Sequence, residues 1–482
     1  MWPGRVWLDP GGPAAYIPGM NRQSPTLDSP LPVRVALATQ PLGILASARA
    51  ARRNVVELIP EIATHAPMLS GTTGKRWHML MSPEALRHVL RDRVEDYPKS
   101  MVTKLILGSA ISKSLFVLDG AEWRWQRRAA APVFGHRNIA AMAPIMVGAA
   151  ERSALRIGQA ADTGGQRAFD AFDEMVAATF EVIADVTLSG GAGFDRHKVH
   201  QAIEAYIAQT ARVSLLDVVG APAWVPRPGR LFSAGPMRAV QQLADDIIAD
   251  RRRQGALPVP DLLDLLIAGE DPQTGRRMTP DELRDNLLTF IVAGHETTAL
   301  TLSWALYLMA FAPEIQDAAA EEARALQDRP ATMADLPGLP LIRRIVDEAL
   351  RLYPPAAFLA RTAQVQDRIL GREIRPGDTV ILPIYALHRH KKLWDDPDAF
   401  DPDRFRRPPE RFAYLPFGDG PRICIGAAFA LQEAVLILAT LLARFRFAAV
   451  PGRDPKPVMI LTLRPQGGVW LTATRRRGGK IP

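Results

Sequence analysis

The chain holds one cysteine, Cys424, in 482 residues. No internal disulfide can form, so this thiol serves packing, nucleophilic chemistry or metal ligation. Other features are scarce too. There is no Ser/Gly tract, no linker-length block of one charge and no internal repeat. That argues for one large domain over 1–482, with residues 1–30 and 473–482 expected as irregular tails. The first thirty residues carry prolines and glycines without an apolar core, so no secretory signal is read there. With so little cysteine, the expected compartment is the reducing cytoplasm. The net charge of +8 favours acidic partners in general. Yet the clusters Arg251–Arg253 and Arg475–Arg477 lack interleaved aromatics, and no nucleic-acid groove is expected.

Charge is also missing from one long run. From Leu287 to Ala312 only His295 and Glu296 carry acidic or basic groups. A helix apolar all round spans a membrane or lies deep in a large protein. A carboxylate at the bilayer centre costs roughly 2.5–3.5 kcal/mol, and the flanks show no positive-inside bias. The run therefore reads as a buried core helix, and no membrane anchor is expected.

What is present is mostly helix signal. Thr279-Pro280-Asp281-Glu282 supplies an N-cap, a proline at the first helical position and a capping-box glutamate. The helix it opens can run to Phe311, where Ala312-Pro313 stops it. Amphipathic stretches predict further helices near 136–160, 168–189, 196–214, 236–254, 314–326, 340–352 and 426–445. Strand signals lie near 53–59, 76–81, 379–382, 458–461 and 468–471. The segment 388–424 is irregular, and a loop that long in a compact domain is usually functional. The pattern predicts a mainly α fold with small peripheral β-sheets.

Four motifs carry chemistry. Phe417-Gly418-Asp419-Gly420-Pro421-Arg422-Ile423-Cys424-Ile425-Gly426 crowds glycines and an arginine around the thiol just before a helix. Glycines let a backbone approach something bulky, and arginine recognises carboxylates. A helix N-terminus steadies a thiolate. Ala293-Gly294-His295-Glu296-Thr297-Thr298 sits at the centre of the long helix, where a glycine costs about 1 kcal/mol against alanine. A flat cofactor or dioxygen pressed there would gain from the missing side chain, and an acid beside an alcohol can relay protons. Glu348-Ala349-Leu350-Arg351 is an i,i+3 ion pair, weak evidence alone. Trp123 and Arg127 lie four apart on one helix face, where both can donate to a carboxylate.

The cysteine run resembles the cytochrome P450 signature Phe-x-x-Gly-x-Arg-x-Cys-x-Gly, matched at Phe417, Gly420, Arg422, Cys424 and Gly426. The other motifs follow in the family's order. The resemblance implies the triangular P450 fold and a soluble, bacterial-type haem-thiolate monooxygenase. It would use haem b, with dioxygen as co-substrate and NAD(P)H acting indirectly through a reductase. By resemblance Cys424 is the iron ligand, and Ala293 and Gly294 lie on the cofactor. Trp123, Arg127, Arg361 and Arg422 hold its propionates, and Glu296 and Thr297 relay protons. Glu348, Arg351 and Arg404, the last within Phe400-x-Pro402-x-Arg404-Phe405, form a structural network. The pocket is implied to touch Met101–Leu115, Phe290, Ala293, Ala357, Phe358, Leu359, Met459 and Ile460, with a lid near 220–226. These residues are mostly aliphatic, so a hydrophobic small molecule such as a terpenoid or fatty acid is expected. The residues after Cys424 are too few for a fused reductase. A separate ferredoxin or flavodoxin is therefore implied, docking near Arg124, Arg128, Arg343 and Arg344 on a monomer. A peroxide-driven peroxygenase and a non-enzymatic haem sensor stand as alternatives on the same fold.

Overall fold

The computed structural model describes residues 31–40, 42–73, 75–100, 111–162, 167–188, 234–459 and 461–476. Contacts separate Met1–Leu31 from Pro32–Pro482, and the second unit is the one described here. Its main helices are α1 (Ile44–Arg53), α2 (Gly120–Ala130), α3 (His136–Asp162), α4 (Ala171–Leu188), α5 (Ala234–Gln254), α6 (Leu262–Ala268), α7 (Pro280–Phe311), α8 (Pro313–Glu322), α9 (Pro340–Leu352) and α10 (Ala427–Arg444). The helix expected near 196–214 and the lid near 220–226 lie outside the described residues.

The long helix forms as its capping signals dictate. Thr279 accepts from the Glu282 N–H, and the Glu282 carboxylate accepts from the Thr279 N–H at 2.8 Å. At ~1.5 Å rise per residue α7 is about 48 Å long. It packs against α4, α5, α9 and α10 and is buried on nearly every face. Among the described residues one helix, α10, is by itself long and apolar enough to cross a membrane, and it too is mostly buried within the molecule.

The strands are short and peripheral. A four-stranded sheet joins β1 (Met68–Thr73), β2 (Lys75–Leu80), β7 (Thr379–Leu382) and β4 (Leu359–Thr362), in that order. Its β2–β7 pair is parallel and the others antiparallel. A three-stranded antiparallel sheet orders β3 (Phe169–Asp170), β11 (Trp470–Arg475) and β8 (Phe445–Ala449). Two hairpins pair β5 (Asp367–Ile369) with β6 (Arg372–Ile374), and β9 (Lys456–Met459) with β10 (Leu463–Gln466).

Two expectations fail here. The run near 53–59 is no strand but the end of α1 and a 3-10 turn over Val55–Leu58, started by the Asn54 side chain accepting from Val56 N–H. Residues 473–475 are not tail, because they pair with β8 as the last part of β11.

In the core Trp304 of α7 stacks on Tyr353 with centroids 4.0 Å apart. Three tyrosine hydroxyls grip the first described segment. Tyr307 and Tyr385 accept from the Val33 and Val35 N–H groups at 3.0 and 2.9 Å. Tyr353 donates to the Val33 carbonyl at 2.7 Å.

Candidate functional site

Glycines and one backbone closure place Cys424. Gly418 and Gly420 take φ of +71° and +75°, which glycine adopts without steric cost. A Cβ on Gly420 would overlap the Leu90 carbonyl oxygen, so the loop lies directly on that backbone. The Cys424 N–H donates to the Phe417 carbonyl at 2.9 Å, and α10 begins three residues later with Gly426 as N-cap. Cys424 is exposed, although protein atoms crowd its sulfur. Burial pushes its thiol up, while the Gly426 N–H and the Arg127 charge pull it down. A metal cation at the sulfur would complete the shift to thiolate. Among the described residues no three His, Cys, Asp or Glu side chains gather closely enough to hold a metal.

Next to the thiol lies an excess of enclosed positive charge. Burial lowers the half-buried Arg127 of α2, and the charge opposing this is Cys424. Arg361 of β4 is 7% exposed. Its Nε has no hydrogen-bond partner and its Nη1 reaches only the Ala360 carbonyl at 3.3 Å. Burial and the neighbouring Arg422 bring Arg361 down to about 10. Arg422 also has an orphan Nε. Its Nη1 pairs with Asp119, and its guanidinium lies 4.7 Å over the ring of buried Trp123. Buried donors without acceptors are costly, so this set calls for anionic acceptors. A flat, metal-bearing dicarboxylate such as haem fits it. Cys424 would take the metal, with Arg127, Arg361, Arg422 and Trp123 on the carboxylates.

The centre of α7 meets the expectation in part. Ala293 is exposed and Thr297 half-buried near the middle of a largely enclosed helix. Thr297 Oγ1 donates to the Ala293 carbonyl at 2.7 Å. A Cβ at Gly294 would meet Ile183 Cδ1 of α4 at 3.3 Å, so the missing side chain lets a neighbouring helix approach. Glu296 is not hydrogen-bonded to Thr297. Its Oε1 accepts from Arg464 Nε at 2.6 Å and from Thr462 Oγ1. Burial pushes Glu296 up, but these partners outweigh it and hold the carboxyl below its ordinary range.

Glu348, Arg351 and Arg404 meet in one buried network. Arg351 donates to Glu348 through Nε at 2.6 Å and Nη2 at 2.7 Å. Arg404 Nε reaches Glu348 Oε1 at 3.0 Å. Arg351 also binds the carbonyls of His388, Pro397 and Ala399. Sequence reasoning missed His388, which links this network to the cysteine loop. Its Nδ1 faces the Arg351 carbonyl at 3.1 Å, and its Nε2 accepts from Leu415 N–H at 2.9 Å. Burial and the Arg351 charge lower its pKa to about 3, so the ring is neutral.

The expected pocket is revised. Phe290 is buried, edge-on to Phe134 at 5.1 Å, and Ala357 is wholly in the core. Phe358, Leu359 and Met459 are half-buried. Residues 101–110 and Ile460 lie outside the described residues. The docking arginines divide as well. Arg128 makes a two-pronged pair with Asp271 at 2.6 and 2.7 Å, and Arg344 is largely covered beside Asp403. Arg124, paired to Glu95, and Arg343, paired to Asp347, remain surface charges.

Other groups missed from the sequence are Asp119, Thr462, Arg464 and Glu433. Only Glu433 carried a visible signal, as the one acid in the apolar run of α10.

A family model described as Cytochrome P450 matches residues 64–472. The chain is 33% identical to cyclooctatin synthase of Streptomyces melanosporofaciens, over 86% of this chain and 90% of that protein. It is 32% identical to cyclooctat-9-en-7-ol 5-monooxygenase of the same organism, over 83% and 86%. Among solved structures it resembles the haem domain of cytochrome P450DA, with a TM-score of 0.75 and 28% identity over 85% and 90% of the chains.

Proposed function

Since this chain belongs to the cytochrome P450 family and is a cytochrome P450 monooxygenase, we propose that its substrate is a compact, neutral, terpenoid-like hydrocarbon or alcohol. What supports this is the character of the residues the family places at the substrate: Ala293 is exposed, Phe358, Leu359 and Met459 are half-buried, and none of them bears a charge. A fatty-acid carboxylate would find no free cation among them, since Arg464 is committed to Glu296. A relative's printed name specifies oxidation of an alkenol, in keeping with that chemistry.

Haem, when bound, supplies the reductive activation of dioxygen. The chain's own residues do the rest. Cys424 ligates, and the three arginines with Trp123 orient the carboxylates. Apolar side chains exclude water, and Thr297 offers a hydroxyl at the helix surface for passing protons. Electrons come through a reductase. We assign their delivery to a separate ferredoxin or flavodoxin fed by NAD(P)H and docking on a monomer.

The test is the ferrous–CO difference spectrum followed by a panel of cyclic terpenoids and fatty acids. We expect a thiolate-shifted Soret band that is lost in Cys424→Ser. We also expect spin-state shifts with terpenoids, and product with dioxygen, ferredoxin and reductase. Spin shifts confined to fatty acids would overturn the substrate class. Turnover with peroxide alone would favour the peroxygenase reading.

A further inference from the structure

Asp119 is the N-cap of α2, with extended backbone at φ −131° and ψ 175°. An aspartate there ordinarily accepts from the second or third N–H of the helix, worth about 1 kcal/mol. This one makes no such bond. Its carboxylate is instead paired with Arg422, whose side chain is only 5% exposed. The next residue, Gly120, has φ +59°, a turn that starts the helix without the usual cap. The helix has given up local stabilisation, and the group released from capping sits against a cofactor arginine.

The charges explain why. Arg127, Arg361 and Arg422 are three cations beside the expected cofactor carboxylates, and Asp119 is the anion among them that is not the metal ligand. Among the described residues that balance is +2, equal and opposite to two carboxylates. Geometry adds a second reason. Asp119 holds the Nη1 end of Arg422 while Trp123 lies beneath the guanidinium plane, so the orphan Nε edge is fixed in direction.

We propose that Asp119 is a positioning residue for the haem: it anchors Arg422 so that its free edge meets a haem carboxylate, and its charge sets the field that the iron feels. Asp119 acts through Arg422, a different matter from the direct donors the sequence motifs supply. The inference rests on the haem-thiolate reading above.

The test uses the holoenzyme and two readouts that need no turnover. One is the rate of haem transfer to excess apomyoglobin, and the other is the ferric/ferrous midpoint potential. Asp119→Ala removes both anchor and charge, so haem release should quicken about tenfold. Asp119→Asn keeps an oxygen for Arg422 but removes the charge. Haem release should then stay within about twofold of the parent, while the midpoint potential moves upward because an anion has left the cofactor's surroundings. In an Arg422→Ala background, Asp119→Ala should add nothing to haem release.

Parent-like release in Asp119→Ala would overturn the anchoring. An unmoved potential in Asp119→Asn would overturn the charge role. Additive effects in the double variant would overturn the route through Arg422. If the parent itself lacked the thiolate Soret band, the haem-thiolate reading would fail first. A parent with the band and indifferent Asp119 variants would sink this inference alone.

Discussion

Glu433 is an acid buried without a counter-charge among the described residues. Burial inside α10 pushes its carboxyl well above the ordinary range, and a hydrogen bond with Thr298 opposes this without reversing it. Its Oε1 has no partner. The sign of the pH effect follows from proton counting. Above the ordinary carboxylate pKa of about 4.3 the unfolded chain has lost this proton while the folded chain keeps it. Stability therefore falls as pH rises, by up to ~1.4 kcal/mol per unit from this group, until the folded carboxyl ionises. Glu433→Gln should abolish that share of the slope and be the more stable chain at about pH 7.5. Urea midpoints of parent and variant at about pH 5.5 and about pH 7.5 check this. An equal gap at both pH values would mean that Glu433 is ionised in the fold. His388 works in the opposite sense, because a neutral ring held down to about 3 withdraws stability as pH falls from ~6.5. A lone acid in an apolar helix is legible in sequence. That no cation comes near it among the described residues is not legible, since only packing reveals it.

Helices and loops show where legibility ends. The capping box of α7 and the Pro313 stop are local chemistry, and both ends of that helix were readable. Gly294 was readable as an anomaly but not in its cause. A sequence says that a side chain is absent from a helix face, and only the packed neighbour says which face. With Ile183 at 3.3 Å from a Cβ there, Gly294→Ala sets about 1 kcal/mol of helix propensity against overpacking of roughly 1–3 kcal/mol. We expect net destabilisation of about 1 kcal/mol, and recovery when Ile183→Val is added. Denaturant titration of the three chains decides it. A stabilised Gly294→Ala would overturn the packing role. The partners of Glu296 were hidden for a related reason. Arg464 lies 168 residues away, on a hairpin that no local pattern ties to α7.

At the scale of the whole molecule, the ordered series Trp123, Glu296, Glu348, Arg404 and Cys424 was enough to identify the family. Surface function was less legible, because an arginine's meaning depends on whether a carboxylate already holds it. Arg128 and Arg344 are withdrawn in that way, whereas Arg124 is accessible beside an equally accessible Glu95. Charge reversal as Arg124→Glu should slow reduction by an acidic ferredoxin several-fold at low salt and flatten its salt dependence. Stopped-flow reduction across ionic strength measures this, and an unchanged salt slope would move the docking face elsewhere. The three tyrosines that hold Val33 and Val35 carry a last implication. Trimming the chain to residue 36 would strip partners from hydroxyls that belong to α7, to α9's C-cap and to the short helix Ile384–Leu387 after β7. The injury would be felt by what remains, as three inward-facing phenols bereft of company, and not by the few residues discarded.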